Sequence, residues 1–401
     1  MLRRSLGESY NPLYFLAALG AGGLSVSFFV YLMFMVPHPD TPMVTFNHLW
    51  PILTGDRLLP AGLVAGAIVG MLVFGYFHLR LLWWNLSEYR QFRRTAAFET
   101  LRRSNAEISL MAIPLTLAMT INVLFALGAA LVPNLWQIVE YLFPFALAGF
   151  LAVGVYAMRI LGAYFVRLFV HAQFDFSKNN SLAPMVAIFA LSMIAVGLAA
   201  PGAMSANPAI NATGIAFSVF FATVAILLML VKLVLGFDAM LRHGVREEAA
   251  GSLWIMIPIM TLLGITYVRL IHGLDHGFGD PVNPAGMFVV MAAVLSVQVL
   301  FGLIGYAVMK ELGYFRDYVN GDKANAGAFA LICPGVAFFV FGVFFVTFAL
   351  LGNGLVEKFS VAYFLFLLPF VLVQIKTIQV FFKLRRRLLV AEPAGRVATA
   401  G

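Results

Sequence analysis

Few side chains in this chain could do redox or metal chemistry. The sequence has one cysteine, Cys333, and seven histidines. A single cysteine excludes both a disulfide framework and a cluster of thiolate ligands. Imidazole nitrogens could hold a metal or a haem iron, and because the chain has no Cys-x-x-Cys-His motif, any haem would be bound non-covalently. The candidate ligands are His38, His48, His78, His171, His243, His272 and His276.

One pair of these histidines has the spacing of a helical site. His272 and His276 are four residues apart, which brings two side chains to one face of a helix. Gly273 and Gly277 argue against a helix that continues this far. The alternative for all seven histidines is a place in a loop or at a membrane interface, where hydrogen bonds satisfy the ring.

A second set of residues suits the movement of an anion. It offers hydroxyl and amide groups within apolar runs and consists of Thr116, Thr120, Asn122 and Thr261. Thr116 and Thr120 are one turn apart and would share a face. Arg269 is the one cation in these runs and would raise the anion concentration at an external mouth. The alternatives are tight packing of small residues and, for Arg269, an anchor paired with Asp275.

Five prolines mark the elements that would position these groups. Each lies near the start of an apolar run long enough to cross a bilayer, and they are Pro12, Pro114, Pro184, Pro258 and Pro334. A feature that recurs at similar intervals indicates a repeated architecture. Proline frees a backbone carbonyl, which at membrane depth is tolerated where neighbours or water satisfy it. We therefore expect kinked helices around a central, partly wet path.

The composition places the chain in a membrane. Hydrophobic residues make up 62% of the 401 residues and charged residues 11%, which is more apolar surface than a soluble domain can bury. The run of about 20 apolar residues that a hydrocarbon core requires occurs ten times. The predicted spans are 12–36, 60–84, 109–133, 136–164, 182–206, 209–236, 253–272, 285–311, 326–351 and 359–383. They form one domain over 1–390, followed by a short cytoplasmic tail over 391–401.

The basic residues predict that both termini are cytoplasmic. With that orientation only Arg57, Arg269 and Lys358 lie outside, as the positive-inside rule requires. The net charge of +8 is thereby explained by topology, and we expect no nucleic-acid partner. The arginine-rich segment 89–103 would either lie on the inner surface against anionic lipids or form a solvated loop.

The ten spans are interpreted as five helical hairpins around a pseudo-fivefold axis, with the odd helices inside and the even helices outside. Each even span carries one basic residue in its inner part: Arg80, Arg159, Lys232, Lys310 and Lys376. The alternative role of these residues is interfacial anchoring.

Ten helices in five hairpins, with a proline near the start of each odd helix, resemble the tellurite-resistance and dicarboxylate transporter superfamily, which includes the plant slow anion channels. The resemblance covers nearly the whole chain. It implies passive movement of small anions, a homotrimer, and a phenylalanine of an inner helix that closes the pore. No motif selects that phenylalanine in the ninth span.

Two further stretches, Asn11-Pro-Leu-Tyr-Phe-Leu16 and Val36-Pro-His-Pro-Asp-Thr-Pro42, are similar to the bacterial membrane (seleno)protein family called TsoY. This similarity would make Cys333 a redox position. We expect the protein in a bacterial inner membrane.

The function expected from the sequence is a channel or facilitator for small inorganic or organic anions, which would need no cofactor. The alternative is a membrane redox protein that uses Cys333 or a histidine-bound haem or metal. The sequence has no P-loop for ATP-driven pumping, and no odd span has a pair of carboxylates to relay protons or hold sodium.

Overall fold

A computed structural model describes residues 2–171 and 180–391. In these residues every regular element is a helix, and ten helices are long and apolar enough to cross a membrane. The chain is therefore an integral membrane protein. We number these helices α1 Pro12–Met35, α2 Leu58–Phe92, α3 Asn105–Leu131, α4 Leu135–Val170, α5 Ala183–Met204, α6 Pro208–His243, α7 Glu247–Phe278, α8 Pro284–Glu311, α9 Ala326–Leu351 and α10 Val361–Leu389. Two short helices, Phe46–Leu53 and Ala96–Arg102, lie in the connections.

Several even helices are longer than the apolar spans predicted from the sequence. The helix α2 continues to Phe92, α4 to Val170 and α10 to Leu389, past the predicted ends at 84, 164 and 383. Hydropathy detects only the part of a helix that lipid can surround. Leucine, arginine, lysine and glutamate have high helix propensities, so a charged stretch can continue the helix beyond the lipid.

All five odd helices begin with a 3-10 segment that passes into an α-helix. These opening segments are Pro12–Tyr14, Asn105–Met111, Ala183–Met185, Glu247–Ile255 and Ala326–Leu331. Each of the five predicted prolines lies in such a segment or in the first α turn after it. The missing proline N–H therefore coincides with the change in hydrogen-bonding pattern, where its loss costs little. We call the side of the molecule that carries these segments the proline side.

The odd helices contact one another in a closed series. The helix α1 contacts α3, α3 contacts α5, α5 contacts α7, α7 contacts α9, and α9 contacts α1. The five opening segments repeat this series of contacts on the proline side. Each even helix contacts the odd helix before it and the odd helix after it, and α10 contacts α9 and α1. We call the five odd helices the odd-helix ring.

The odd helices supply most of the buried surface. Between 50% and 83% of the most apolar window of each odd helix is buried, against 28% to 33% for the even helices. The even helices expose large apolar side chains, for example Leu72, Val219 and Leu303. Lipid can cover such side chains, so the even helices provide the surface that faces the membrane.

Close contact between helices depends on glycines that face aromatic rings. A Cβ atom on Gly197 of α5 would lie 2.2 Å from the ring of Phe150 in α4, and one on Gly264 of α7 would lie 2.4 Å from Phe341 in α9. The rings occupy the space that a side chain would need. Small residues of this kind are what membrane helices use to approach one another.

Candidate functional site

A cavity of about 330 Å³ lies inside the odd-helix ring. All five odd helices line it, and α4 and the connection after α1 add a few side chains. Along α7 the lining runs from Pro258 to His272, which is about 21 Å at the helical rise of 1.5 Å per residue. Of the five predicted prolines, only Pro258 is part of the lining.

The opening segments close this cavity on the proline side. Among the described residues, none that belongs to the five segments lines the cavity. Several of their large side chains are packed instead, and Met111, Met185 and Phe329 have no exposed surface. The opposite end is rich in aromatic rings: the centroid of Phe34 lies 4.9 Å from that of Phe344 and 5.7 Å from that of Phe348.

The cavity wall consists mainly of hydrocarbon. Within the described residues, its polar or ionisable side chains are Asn122, Thr261, Arg269, His272 and Cys333. Three of them, Asn122, Thr261 and Arg269, belong to the set that the sequence predicted for an anion path. The rest of the wall is formed by alanine, valine, leucine, isoleucine, methionine, phenylalanine, glycine and proline.

Arg269 is the cation of this wall and has no acidic partner among the described residues. One guanidinium nitrogen, Nη1, donates to the Val196 carbonyl oxygen at 2.6 Å. The ion pairs that the described residues form include none with Arg269, and Asp275, its predicted partner, is exposed. A guanidinium has five N–H groups. Those not used by Val196 donate to no described residue.

Asn122 lies close to the same part of α5 as Arg269. Its amide nitrogen is 3.5 Å from the Met193 sulfur, a weak acceptor, and Met193 and Val196 share a face of α5 because they are three residues apart. The amide and the guanidinium therefore face neighbouring parts of the cavity. A thioether sulfur is a weak acceptor, so this contact satisfies the Asn122 amide N–H only weakly.

Thr261 serves mainly to join helices. Its hydroxyl oxygen lies 3.0 Å from the carbonyl oxygens of both Ile257 and Ala337, and it accepts a hydrogen bond from Gln298 Nε2 at 2.7 Å. These contacts connect α7 with α9 and α8. Because these contacts use the hydrogen-bonding capacity of the hydroxyl group, it is a poor group for binding a ligand.

Thr116 and Thr120 share a face, but that face points away from the cavity. Thr116 Oγ1 donates to the Ala112 carbonyl at 2.7 Å and lies 3.2 Å from the Phe15 carbonyl of α1. Thr120 Oγ1 lies 2.9 Å from Nε2 of His78, a fully buried residue of α2. Neither threonine is part of the cavity lining.

His78 holds α1, α2 and α3 together. Its Nδ1–H donates to the Ala18 carbonyl at 2.8 Å, since a carbonyl can only accept. Nε2 lies 2.9 Å from the Thr120 hydroxyl oxygen, whose one proton is shared with the Thr116 carbonyl, also 2.9 Å away. Both ring nitrogens are therefore used. His78 is therefore a histidine satisfied by hydrogen bonds between helices, as in the alternative to a metal ligand.

His272 lines the cavity, whereas His276 is exposed. The helix α7 continues through Gly273 and Gly277 to Phe278, so the expectation that these glycines end it earlier is wrong. Gly273 allows close packing, because a Cβ atom there would lie 2.7 Å from the Gly202 carbonyl oxygen. His272 Nδ1–H donates to the Val268 carbonyl at 2.8 Å.

His38, His48 and His243 lie outside the cavity. His48 Nε2 donates to Asp40 at 2.9 Å, which lowers the pKa of this exposed carboxyl group, and the His38 ring lies 6.0 Å from that of His48. His243 is exposed, and the side chain of His171 falls outside the described residues. No group of three histidine, cysteine, aspartate or glutamate side chains in the described ranges could hold a metal.

Cys333 lines the cavity near the proline side. Its exposed fraction is 7%, so the thiol is buried, and its neighbours in the wall include Val336 and Ala337 of the same helix. The structure thus places the only thiol of the chain in the cavity wall.

Buried amides on the even helices were missed by the sequence reasoning. Gln298 of α8 has the bond to Thr261 described above, and Gln374 of α10 donates to Ser27 Oγ at 2.8 Å and accepts from the Tyr31 hydroxyl at 2.6 Å. Each is an isolated polar residue within an apolar run long enough to cross the membrane. Such a residue normally faces the interior of the helix bundle, and this feature could have identified them from the sequence.

Comparisons of the chain with protein-family models, curated proteins and solved structures give no match. Function therefore has to be inferred from the site itself.

Proposed function

We propose that this protein is a channel or facilitator for anions, with its path through the cavity of the odd-helix ring. The observation that carries this proposal is the position of Arg269, a cation in a largely apolar wall with no acidic partner among the described residues. Such a charge is costly unless an opposite charge compensates it. An anion from solution would supply that charge.

We further propose that the ten helices are five hairpins around a pseudo-fivefold axis, as in the tellurite-resistance and slow anion channel superfamily that the sequence resembles. The closed series of contacts among the odd helices supports this arrangement, as does the place of each even helix between two odd helices. The protein would form a homotrimer in a bacterial inner membrane.

In this proposal the proline side is cytoplasmic, as the positive-inside rule favours. The exposed Arg90, Arg93 and Arg94 at the end of α2 would then meet anionic lipids. Because the opening segments close the cavity on this side, conduction requires them to separate. Short 3-10 segments suit such a movement, since their hydrogen-bond geometry is poorer than that of an α-helix.

The test is anion flux into proteoliposomes, measured with nitrate for the unchanged protein and for Arg269→Gln. Since Arg269 lies in the cavity wall rather than at an open mouth, salt screens it weakly, and we expect a loss of about tenfold or more at both low and high salt. The matched control is Arg57→Gln, because Arg57 is exposed and does not line the cavity. Equal flux in the two variants would rule out a role for Arg269.

The alternative function is a membrane redox protein, and the specific observation in its favour is that Cys333 lines the cavity. A visible absorption spectrum of the purified protein separates the two functions, because histidine-bound haem gives a Soret band. If there is no such band and Cys333→Ala leaves nitrate flux unchanged, the redox alternative loses its haem and its thiol.

A further inference from the structure

The wall of the central cavity has a charged part and an apolar part. Arg269 and Asn122 lie near one another, beside the turn of α5 that contains Met193 and Val196. From Arg269 toward Pro258 the lining continues for about 16 Å along α7 at the helical rise of 1.5 Å per residue. A ligand that binds the guanidinium therefore has a long apolar region beside it.

This apolar region has few groups that could replace water around a small inorganic ion. Its lining includes Leu19, Phe189, Leu262, Val336 and Val340. The Thr261 hydroxyl, which also lies there, is used by contacts between helices. A nitrate or chloride ion that enters loses hydration without full compensation, because burial of a charge is costly unless it is paired and hydrogen-bonded.

An organic anion can interact with both the charged and the apolar part of the wall. Its charged end can bind the guanidinium, and each buried methylene group gains about 0.8 kcal/mol from leaving water. The cavity volume of about 330 Å³ is near the lower limit of about 300 Å³ for small-molecule sites. Because Arg269 is the one cation of the described lining, the wall compensates a single negative charge.

We propose that the cavity selects small organic monoanions with an apolar body, such as an alkyl carboxylate. The carboxylate binds Arg269 and Asn122, and the hydrocarbon body lies along α7 toward the closed proline side. This inference rests on the proposed anion function and specifies its substrate class.

The test uses the full chain in lipid nanodiscs and measures the binding of acetate, butyrate, hexanoate, octanoate and nitrate by calorimetry. We expect the affinity to rise about fourfold per methylene until the apolar region is filled, with nitrate weaker than octanoate. Empty nanodiscs measure how much carboxylate enters the lipid alone. Octan-1-ol, which has the chain but no charge, should bind more weakly than octanoate.

Two variants examine the two parts of the wall separately. Arg269→Gln should reduce octanoate affinity at least tenfold relative to Arg57→Gln. Val340→Phe places a ring in the apolar region, so it should lower octanoate affinity and leave acetate affinity unchanged. The second variant keeps the charge intact and tests the proposal even if Arg269→Gln fails to fold.

The outcomes separate this inference from the proposed function. If affinity does not depend on chain length while nitrate flux still requires Arg269, the organic-anion proposal is wrong and the anion function stands. If neither carboxylate binding nor nitrate flux changes in Arg269→Gln, both proposals are wrong. If Val340→Phe lowers acetate and octanoate affinity equally, the hydrocarbon body does not lie along α7.

Discussion

At the scale of single residues, some buried polar side chains hold helices together and others face the cavity, while Thr261 does both. His78, Gln298 and Gln374 all lie on even helices and bond to the odd helices beside them. Arg269 and Asn122 lie on odd helices and face the cavity. The first group should therefore affect stability, and the second should affect binding.

His78→Ala tests the structural role. It removes a ring that bonds to both Ala18 and Thr120 in a fully buried position, and we expect a loss of about 1–3 kcal/mol in unfolding free energy because a partner is left unsatisfied. Thermal unfolding in detergent measures this loss. The control is His243→Ala on an exposed part of α6. Similar melting temperatures for the two variants would mean that His78 does not join these helices.

A second residue-scale prediction concerns pH and the connection between α8 and α9. Lys323 Nζ lies 2.9 Å from Asp317 and 2.6 Å from Glu247 in the opening segment of α7. Hydrogen bonds from Arg316 and Lys323 hold the pKa of Asp317 below its usual value of about 3.9. Because the folded pKa is the lower one, this contribution to stability is present above the unfolded pKa and is lost as pH falls through the folded value.

We therefore expect Asp317→Asn to melt below the unchanged protein at pH 6. The difference should shrink progressively as the pH falls below about 4, where the unfolded chain becomes protonated at this position while the folded carboxyl group stays charged to lower pH. Asp322→Asn, in the same connection and exposed, is the control. A difference in melting temperature that stays constant from pH 3 to pH 6 would show that the charge of Asp317 is not responsible.

At the scale of elements, helix contacts depend on matched glycines and rings. Gly197→Ala would place a Cβ atom 2.2 Å from Phe150 in the α4–α5 contact, and we expect a destabilisation of about 1–3 kcal/mol from overpacking. Gly66→Ala on α2 is the control, since no atom lies within 4 Å of its Cβ position. That change should be neutral or stabilising because alanine has the higher helix propensity.

Chemical denaturation of both glycine variants measures the difference, and Phe150→Leu combined with Gly197→Ala should recover part of the loss. If Gly197→Ala is as stable as Gly66→Ala, Phe150 can move aside and the α4–α5 contact is more adaptable than its geometry indicates.

At the scale of the whole molecule, the closed series of odd-helix contacts forms a cavity with one closed end. The orientation of the protein determines on which face of the membrane the closed end lies. We expect both termini in the cytoplasm, because nearly all basic residues outside the spans then lie inside.

Single cysteines in a Cys333→Ala background test this orientation. Cysteines at Asp56 and Glu357, on the side opposite the prolines, should react in intact cells with a maleimide that does not cross membranes. A cysteine at Asp322, on the proline side, should react only after the cells are opened. All three positions are exposed. If only Asp322→Cys is labelled in intact cells, the orientation is the opposite of the one predicted.

The sequence by itself determined the number and approximate positions of the membrane helices. A hydrocarbon core requires a long uninterrupted apolar run, and this is a local property that composition reveals. The recurrent prolines also located where the odd helices pass from their opening segments into α-helix, because proline is tolerated in the first turn. The far ends were less accurate: α10 continues to Leu389 since charged residues do not stop a helix.

The tertiary structure alone decided which faces of these helices line the cavity. A membrane helix can be apolar on all sides, so its pattern does not show which face is turned inward. Thr120 and Asn122 are two residues apart, yet Thr120 bonds to His78 and Asn122 lines the cavity. The absence of an acidic partner for Arg269 among the described residues is likewise a property of neighbouring helices. The faces that line the cavity and the partners of Arg269 are both set by packing between helices that are distant in the sequence. A local sequence pattern does not contain this information.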